Sequence, residues 1–339
     1  ARGANDDKGQ IMIQLKGFET AKALGLIGVN VKFIFEGEEE IGSGSLSPFC
    51  REHKDLLAAD VILVSDTTML SEETPSITAG LRGLAYWQVE VTGPNRDLHS
   101  GHFGGAVANP INELCKIIAQ LVDDKGRITV PGFYDKVLPL SDEERAMIRK
   151  VPFSEEDYCR ALDIRETQGE EGYITLERNS CRPSFDVCGI WGGYQGEGAK
   201  TVLPSKAYAK LSCRLVANQD HEEISRLMKE YIEQIAPKSV HVKVTPMHGG
   251  AGYYCPLDLP AYQAAAQAVE KAYGVAPLAI RSGGSIPIIA AFEEILGLKT
   301  VLMGFGLEKD AIHSPNESFS VRVFRKGVEA VAEFYRLFN

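Results

Sequence analysis

The chain has 339 residues and a net charge of −10, with 44% apolar and 24% charged residues. This composition is typical of a soluble globular protein. The acidic balance argues against a nucleic-acid partner and gives no sign of a membrane surface, and no apolar run approaches the roughly 20 residues that a helix needs to cross a bilayer. The length exceeds what one hydrophobic core usually serves, so two domains are expected.

The seven cysteines are scattered, odd in number and without a C-x-x-C pair. This usage indicates reduced, mostly packed thiols rather than a disulfide framework or a zinc knuckle. It predicts a cytoplasmic protein.

The two outer parts of the chain alternate helical patterns with short apolar runs. Helices are predicted over 8–24, about 258–273 and about 318–337, and buried strands over 29–35, 60–66 and 298–306. Such alternation predicts an α/β fold with a mainly parallel sheet flanked by helices. In sheets of this kind, ligands bind beyond the carboxyl ends of the strands.

The middle of the chain has a different pattern, in which apolar and polar residues alternate over 84–93, 206–216 and 239–247. This alternation predicts a half-exposed sheet. Helical patterns at about 106–122 and at 220–236, the latter capped by Asp220, would cover the other face of that sheet.

The stretch 124–200 between these patterns is rich in acids, glycine and proline, and we expect irregular excursions there. The sequence therefore predicts a larger domain over 1–79 and 251–339, into which a smaller α/β domain over 80–250 is inserted.

An acidic run, FEGEEEIGSGS at 35–45, directly follows one of the apolar runs. Runs of like charge are usually solvated, and the alternative is a site where carboxylates bind a cation. Asp66 ends another predicted strand and His313 follows the last one by a loop, whereas Asp6 begins a predicted helix, where a carboxylate is a plausible N-cap.

If these acids meet at one edge of the sheet, their repulsion is costly without a cation. Carboxylates with one imidazole suit zinc, manganese or cobalt better than calcium. Taken singly, each residue has an ordinary explanation as a cap, a turn former or a loop histidine. Their convergence predicts a metal site.

Six segments carry a resemblance to a known family. In chain order they are RGANDDKGQ, FEGEEEIGS, ILVSDT, RDLHSGHFGG, RSGGSIPI and IHSPNES, spread from residue 2 to residue 318. Together they resemble the signatures of the M20 metallopeptidases, and among these the carnosinase-like, cytosolic nonspecific dipeptidases. The resemblance implies a catalytic domain with an inserted lid domain and the hydrolysis of small peptides.

The resemblance also implies a centre of two divalent metal ions, zinc or manganese, with cobalt as a further option. Asp6 matches the aspartate that bridges the two ions. Glu40 and His313 match further ligands of the first ion, and Asp66 matches a ligand of the second.

Other positions match catalytic and substrate-binding residues of the family. Glu39 matches the general base, and His99 matches a lid histidine that reaches the active site of the other subunit, which implies a homodimer paired through the lid domains. Glu38 has no assigned role. The substrate-binding positions would be Thr201, Arg214, Ser285 and His248.

The sequence departs from the family pattern at one place. Members carry an H-x-D motif upstream of the bridging aspartate, and only five residues precede Asp6. We therefore expect either a longer natural protein or an impaired fragment. Three functions follow: a dipeptidase, an N-acyl-amino-acid deacylase of the same chemistry, or a non-catalytic metal-binding scaffold.

Overall fold

The computed structural model describes residues 1–339 and has an α/β fold with two separate main sheets. The helices are α1 Lys8–Ala23, α2 Leu46–Glu52, α3 Lys54–Leu57, α4 Ser100–Phe103, α5 Pro110–Ala119, α6 Asp142–Ile148, α7 Glu155–Ala161, α8 Thr175–Ser180, α9 His221–Ile235, α10 Pro260–Tyr273, α11 Pro287–Leu296 and α12 Val321–Leu337. The strands are β1 Ile62–Val64, β2 Ser76–Leu81, β3 Gly83–Thr92, β4 Leu98–His99, β5 Ser184–Gly192, β6 Val202–Leu203, β7 Lys206–Leu215, β8 His241–Gly250, β9 Tyr253–Tyr254, β10 Leu278–Ser282 and β11 Thr300–Leu302.

The first sheet has the strand order β1-β11-β2-β10, with β9 also paired to β2. Strand β1 pairs with β11 in parallel, and β2 pairs with β10 in parallel. Strand β2 is antiparallel to β11 and β9, so the sheet is mixed, with two parallel and two antiparallel pairings. Every residue of β2 is buried, as expected for a strand covered on both faces.

Helices α1 and α12 pack closely against each other. A Cβ atom on Gly17 would meet Val331 Cγ1 at 2.4 Å, and one on Gly327 would meet Ile13 Cδ1 at 2.6 Å. Both contacts advance along the two helices in the same direction, so the helices run parallel. Their N-termini therefore lie at the same end of the molecule.

The second sheet is antiparallel, in the order β5-β7-β3-β8, and helices α5 and α9 pack on one face. The predicted alternation is confirmed, because the alternate residues of β3 that begin with Gly83 are buried. The Asp220 side chain accepts a hydrogen bond from the Glu223 N–H and caps α9, as expected. The chain leaves the first sheet at Leu81 and returns to it at Tyr253.

The predicted strand over 29–35 is wrong. That segment has no strand partner, since β1 lies at the edge of the sheet and pairs only with β11. Its apolar side chains instead contact one another and α1: the Phe33 ring lies 5.3 Å from the Phe18 ring and 5.9 Å from the Phe35 ring. An apolar run becomes a strand only where a neighbour supplies backbone hydrogen bonds.

The stretch 124–200 is more regular than expected, because it contains α6, α7, α8 and the edge strand β5. Its acids include first-turn residues of α6, where Ser141 and Glu144 form a capping box. Strand β5 was hidden because a register shift between Val187 and Gly189 breaks the period of two.

No helix of the structure is both long enough and apolar enough to span a membrane.

Candidate metal centre

Three of the four predicted metal ligands meet in the structure. His313 Nε2 lies 2.8 Å from Asp6 Oδ2 and 3.0 Å from Glu40 Oε1. One ligand atom from each of the three residues lies within 4.8 Å of the others. Two carboxylates and one imidazole nitrogen at this spacing form a donor set that suits zinc or manganese.

Each of these three predicted ligands comes from a different part of the chain. Asp6 lies two residues before α1, and Glu40 lies in a short 3-10 turn over Glu39–Ile41. His313 lies in the loop between a second 3-10 turn, Glu308–Asp310, and α12. The ordinary explanation of Asp6 as a helix cap does not apply, because Asp7 occupies the N-cap position of α1.

Asp66, the fourth predicted ligand, follows β1 closely and lies beside this cluster. Its burial, together with the charges of Asp6 and Glu39, raises the pKa of the Asp66 carboxyl to about 7. Asp66 makes no hydrogen bond or ion pair with the other ligands, but their charges act on it. A cation near this group would favour the ionised form.

Asp7 is a member of the acidic cluster that sequence reasoning missed. Burial and the charges of Asp66 and Asp6 raise the pKa of Asp7 to about 9. Its Oδ1 atom is buried without a hydrogen-bond partner. The signal was the aspartate doublet at positions 6 and 7, of which only the first member was assigned.

The protonation of His313 reflects the same concentration of negative charge. Partial burial lowers the pKa of His313, but the hydrogen bond to Glu40 and the charges of Glu40 and Asp6 outweigh that effect and raise it. Nε2 faces both carboxylates, so it is the His313 atom that would bind a metal ion. Arg2 is a further cation at the cluster, with Nη2 3.8 Å from Glu40 Oε1.

The three consecutive glutamates have different surroundings. Glu38 was expected to be free of any role, but its carboxylate accepts hydrogen bonds from the Ser45 N–H at 2.9 Å and the Ser45 hydroxyl at 3.1 Å. It therefore fixes the turn that contains Gly42, whose φ of 94° is left-handed. Burial and the charges of Glu40 and Asp6 raise the pKa of Glu39, as is common for general bases.

Four of the predicted catalytic and substrate-binding residues contact one another in two pairs. Arg214 Nη1 donates to Ser285 Oγ at 2.9 Å, which joins β7 to the loop after β10. His99 Nε2 lies 3.3 Å from Thr201 Oγ1. His99 Nδ1 accepts from the Gly101 N–H, so in the neutral ring Nε2 carries the proton.

His248 stands apart from both contacts and stacks on Tyr86, with ring centroids 5.0 Å apart. Neither the Arg214 contact nor the His99 contact is hydrogen-bonded to the Asp6, Glu40 and His313 cluster. The structure therefore brings the predicted metal ligands together more completely than the predicted substrate-binding residues.

The model for Peptidase family M20/M25/M40 matches residues 1–337. The chain is 36% identical to the Cys-Gly metallodipeptidase dug1 of Schizosaccharomyces pombe, over 97% of this chain and 70% of that protein. It is 33% identical to the Beta-Ala-His dipeptidase of Homo sapiens, over 98% of this chain and 67% of that protein.

Two solved structures share the fold. The M20 family metallo-carboxypeptidase Sso-CP2 from Sulfolobus solfataricus matches 100% of this chain and 77% of its own, with a TM-score of 0.88 and 32% identity. The di-peptidase Dug1p from Saccharomyces cerevisiae matches over 99% of this chain and 71% of its own length, with a TM-score of 0.78 and 31% identity. The fold and the acid–imidazole cluster are those of a metallopeptidase. The chain belongs to peptidase family M20.

The elevated pKa of Asp7 predicts how pH affects the stability of the metal-free protein. The ordinary aspartate value is 3.8 and the folded value is about 9, so between these values folding takes up a proton and stability falls as pH rises. Asp66 adds to this effect up to about pH 7. We expect Asp7→Asn to weaken the loss of thermal stability between pH 5 and pH 8.5.

Thermal unfolding of metal-free protein across this pH range provides the measurement. The exposed Asp60→Asn is the matched control, and it should follow the parent curve. Equal pH slopes for Asp7→Asn and the parent would show that Asp7 ionises normally in the folded protein.

Proposed function

We propose that this metallodipeptidase hydrolyses the peptide bond of dipeptides at a centre of two divalent metal ions. The observation that carries the proposal is the convergence of Asp6, Glu40 and His313 beside two further acids with raised pKa values, Glu39 and Asp66. Two relatives support dipeptides as the substrate class by their names: the Schizosaccharomyces pombe protein is a Cys-Gly metallodipeptidase, and the human protein is a Beta-Ala-His dipeptidase.

The donor set divides between two ions. Asp6, Glu40 and His313 would hold the first, and Asp6 and Asp66 would hold the second, with Asp6 shared. Zinc or manganese fits these oxygen and imidazole donors, and cobalt is a further option. When bound, the ions would polarise the scissile carbonyl and make a water molecule acidic.

The side chains of the protein would transfer protons and stabilise the developing charge. Glu39 takes a proton from the attacking water and returns it to the leaving amine. The Nε2–H of His99 donates a hydrogen bond to the carbonyl oxygen and stabilises the negative charge that develops there. Glu39 suits this proton transfer because its pKa is raised towards neutrality by burial and by its acidic neighbours.

Arg214 binds the free carboxylate of the substrate, since a guanidinium can donate two parallel hydrogen bonds to it. Its hydrogen bond to Ser285 supports this role by fixing one end of the guanidinium. Thr201, which contacts His99, and His248, which stacks on Tyr86, complete the proposed substrate-binding set.

We further propose that His99 serves the metal centre of a second subunit, in a homodimer formed through the domain at 80–250. His99 and Thr201 are both exposed, and neither makes a hydrogen bond to the metal ligands of their own chain. A cytoplasmic location is proposed from the scattered, unpaired cysteines.

The substrate class is tested with a panel of dipeptides, including Cys-Gly and β-Ala-His, against N-acetylated amino acids. We expect kcat/KM to favour the best dipeptide by at least about tenfold, or about 1.4 kcal/mol in transition-state free energy. A chelator should abolish activity, and added zinc or manganese should restore it. Preference for acetylated amino acids would instead identify a deacylase.

The role of Glu39 is tested by Glu39→Gln, which keeps the shape of the side chain but cannot take a proton. We expect kcat to fall by about 100- to 10,000-fold while metal stoichiometry stays that of the parent. The exposed Glu52→Gln is the control and should retain activity. A comparable loss of bound metal in Glu39→Gln would make Glu39 a ligand.

The placement of His99 across subunits is tested by mixing two variants, His99→Ala and Glu39→Gln, each nearly inactive alone. In a mixed dimer, one site lacks both groups and the other retains both, so activity should reappear. No recovery in dimers shown to be mixed would place His99 in the site of its own chain or outside catalysis.

A further inference from the structure

Glu317 is a buried carboxylate that lies between His313 and α12. Its residue is 2% exposed. Oε1 accepts hydrogen bonds from the Asn5 N–H at 2.8 Å and the Asp6 N–H at 2.9 Å. Oε2 accepts from the Gly3 N–H and from Arg2 Nη1, both at 2.8 Å. One side chain thus accepts hydrogen bonds from four donors, all in the segment that carries the ligand Asp6.

The same carboxylate is connected to all three residues of the ligand cluster. It bonds directly to the backbone of Asp6, and it lies four residues after His313 in one loop. Through Arg2 it also reaches Glu40, because the other guanidinium nitrogen of Arg2 lies 3.8 Å from Glu40 Oε1. A change at Glu317 would therefore act on ligands that are distant from one another in sequence.

The loop that carries His313 has an unusual backbone. Ala311, His313 and Asn316 have φ values of 55°, 59° and 64°, in the left-handed region that residues with a side chain seldom occupy. Such conformations persist only where surrounding contacts hold them. Asp310 gives one such contact, because its Oδ2 accepts from the Asn5 amide at 2.6 Å and from the Leu307 N–H at 2.9 Å.

The carboxylates of Asp310 and Glu317 thus accept hydrogen bonds from the segment before α1. These bonds restrain that segment and the loop against each other. We propose that Glu317 is a positioning residue of the metal centre, which sets Asp6 against His313 and, through Arg2, against Glu40. Glu317 does not bind the metal itself, since its two oxygens already accept four hydrogen bonds. The inference rests on the proposed metal centre and adds a residue whose task is to orient the ligands.

Glu317→Gln tests this role because it preserves the size of the side chain while it removes the negative charge, the ion pair with Arg2 and part of the hydrogen bonding. In either orientation, the amide nitrogen faces two N–H donors, and two hydrogen bonds are lost. Glu308→Gln makes the same chemical change at an exposed position of the 3-10 turn that precedes this loop and serves as the control. The measurements are the dissociation constant of Co²⁺ by calorimetry and the visible spectrum of the bound ion, in the full-length protein.

We expect Glu317→Gln to raise the dissociation constant of Co²⁺ about 10- to 100-fold, as is typical when a group that orients a ligand is lost, and to alter the spectrum. The control should match the parent in both measurements. A parent-like affinity and spectrum in Glu317→Gln, even with a lower Tm, would overturn the proposal and leave Glu317 a purely structural role. A parent that binds no Co²⁺ would refute the metal centre itself.

Arg2→Gln gives a second test if Glu317→Gln does not fold. The Arg2 side chain is 54% exposed, so its replacement leaves the core intact while it removes the connection between Glu317 and Glu40. We expect a smaller, several-fold weakening of Co²⁺ binding. An unchanged dissociation constant in this variant would contradict the proposed coupling.

Discussion

Repulsion among partly buried carboxylates is the constraint on which the rest of the site depends. Asp6, Asp7, Glu39 and Asp66 approach one another and Glu40, and burial adds to the cost of ionising these first four acids. Proteins tolerate such clusters when protons or cations offset the charge. Here the two most strongly affected acids, Asp7 and Asp66, have raised pKa values, and His313 and Arg2 supply positive charge at the edge. A divalent ion would offset the same repulsion more completely.

The fold holds these acids together through elements that are far apart in sequence. Parallel packing of α1 on α12 places the helix that follows Asp6 beside the helix that follows His313. Close contact at Gly17 and Gly327 makes this packing possible. Asp310 and Glu317, two buried carboxylates before α12, accept hydrogen bonds from Asn5 and Asp6 and so join the two segments.

Sequence reasoning succeeded where a local pattern determines the structure. The alternation in β3 and β7, the cap of α9 by Asp220, and helices α1, α10 and α12 were predicted from residues alone. The strand over 29–35 failed because pairing depends on a distant neighbour, which an apolar run cannot reveal. Strand β5 was missed because its bulge removes the alternation that identifies a half-buried strand.

The site shows the same division between local and distant information. Asp6, Glu40 and His313 could be proposed as ligands because each has a carboxylate or imidazole side chain within a recognisable segment, and the structure brings the three together. Glu317 lies in one of these segments, IHSPNES, but its task depends on hydrogen bonds to residues more than 300 positions away. Asp7 was missed because it has the same side chain as Asp6, and only its deeper burial in the folded protein distinguishes the two.

Crystals of the full-length protein loaded with zinc would test the central claim most directly. Anomalous difference maps recorded at the zinc edge locate the ion without reference to activity. The account predicts a peak within about 2.0–2.2 Å of a carboxylate oxygen of Asp6, a carboxylate oxygen of Glu40 and Nε2 of His313. A zinc ion bound elsewhere, with these three side chains free of metal, would contradict it.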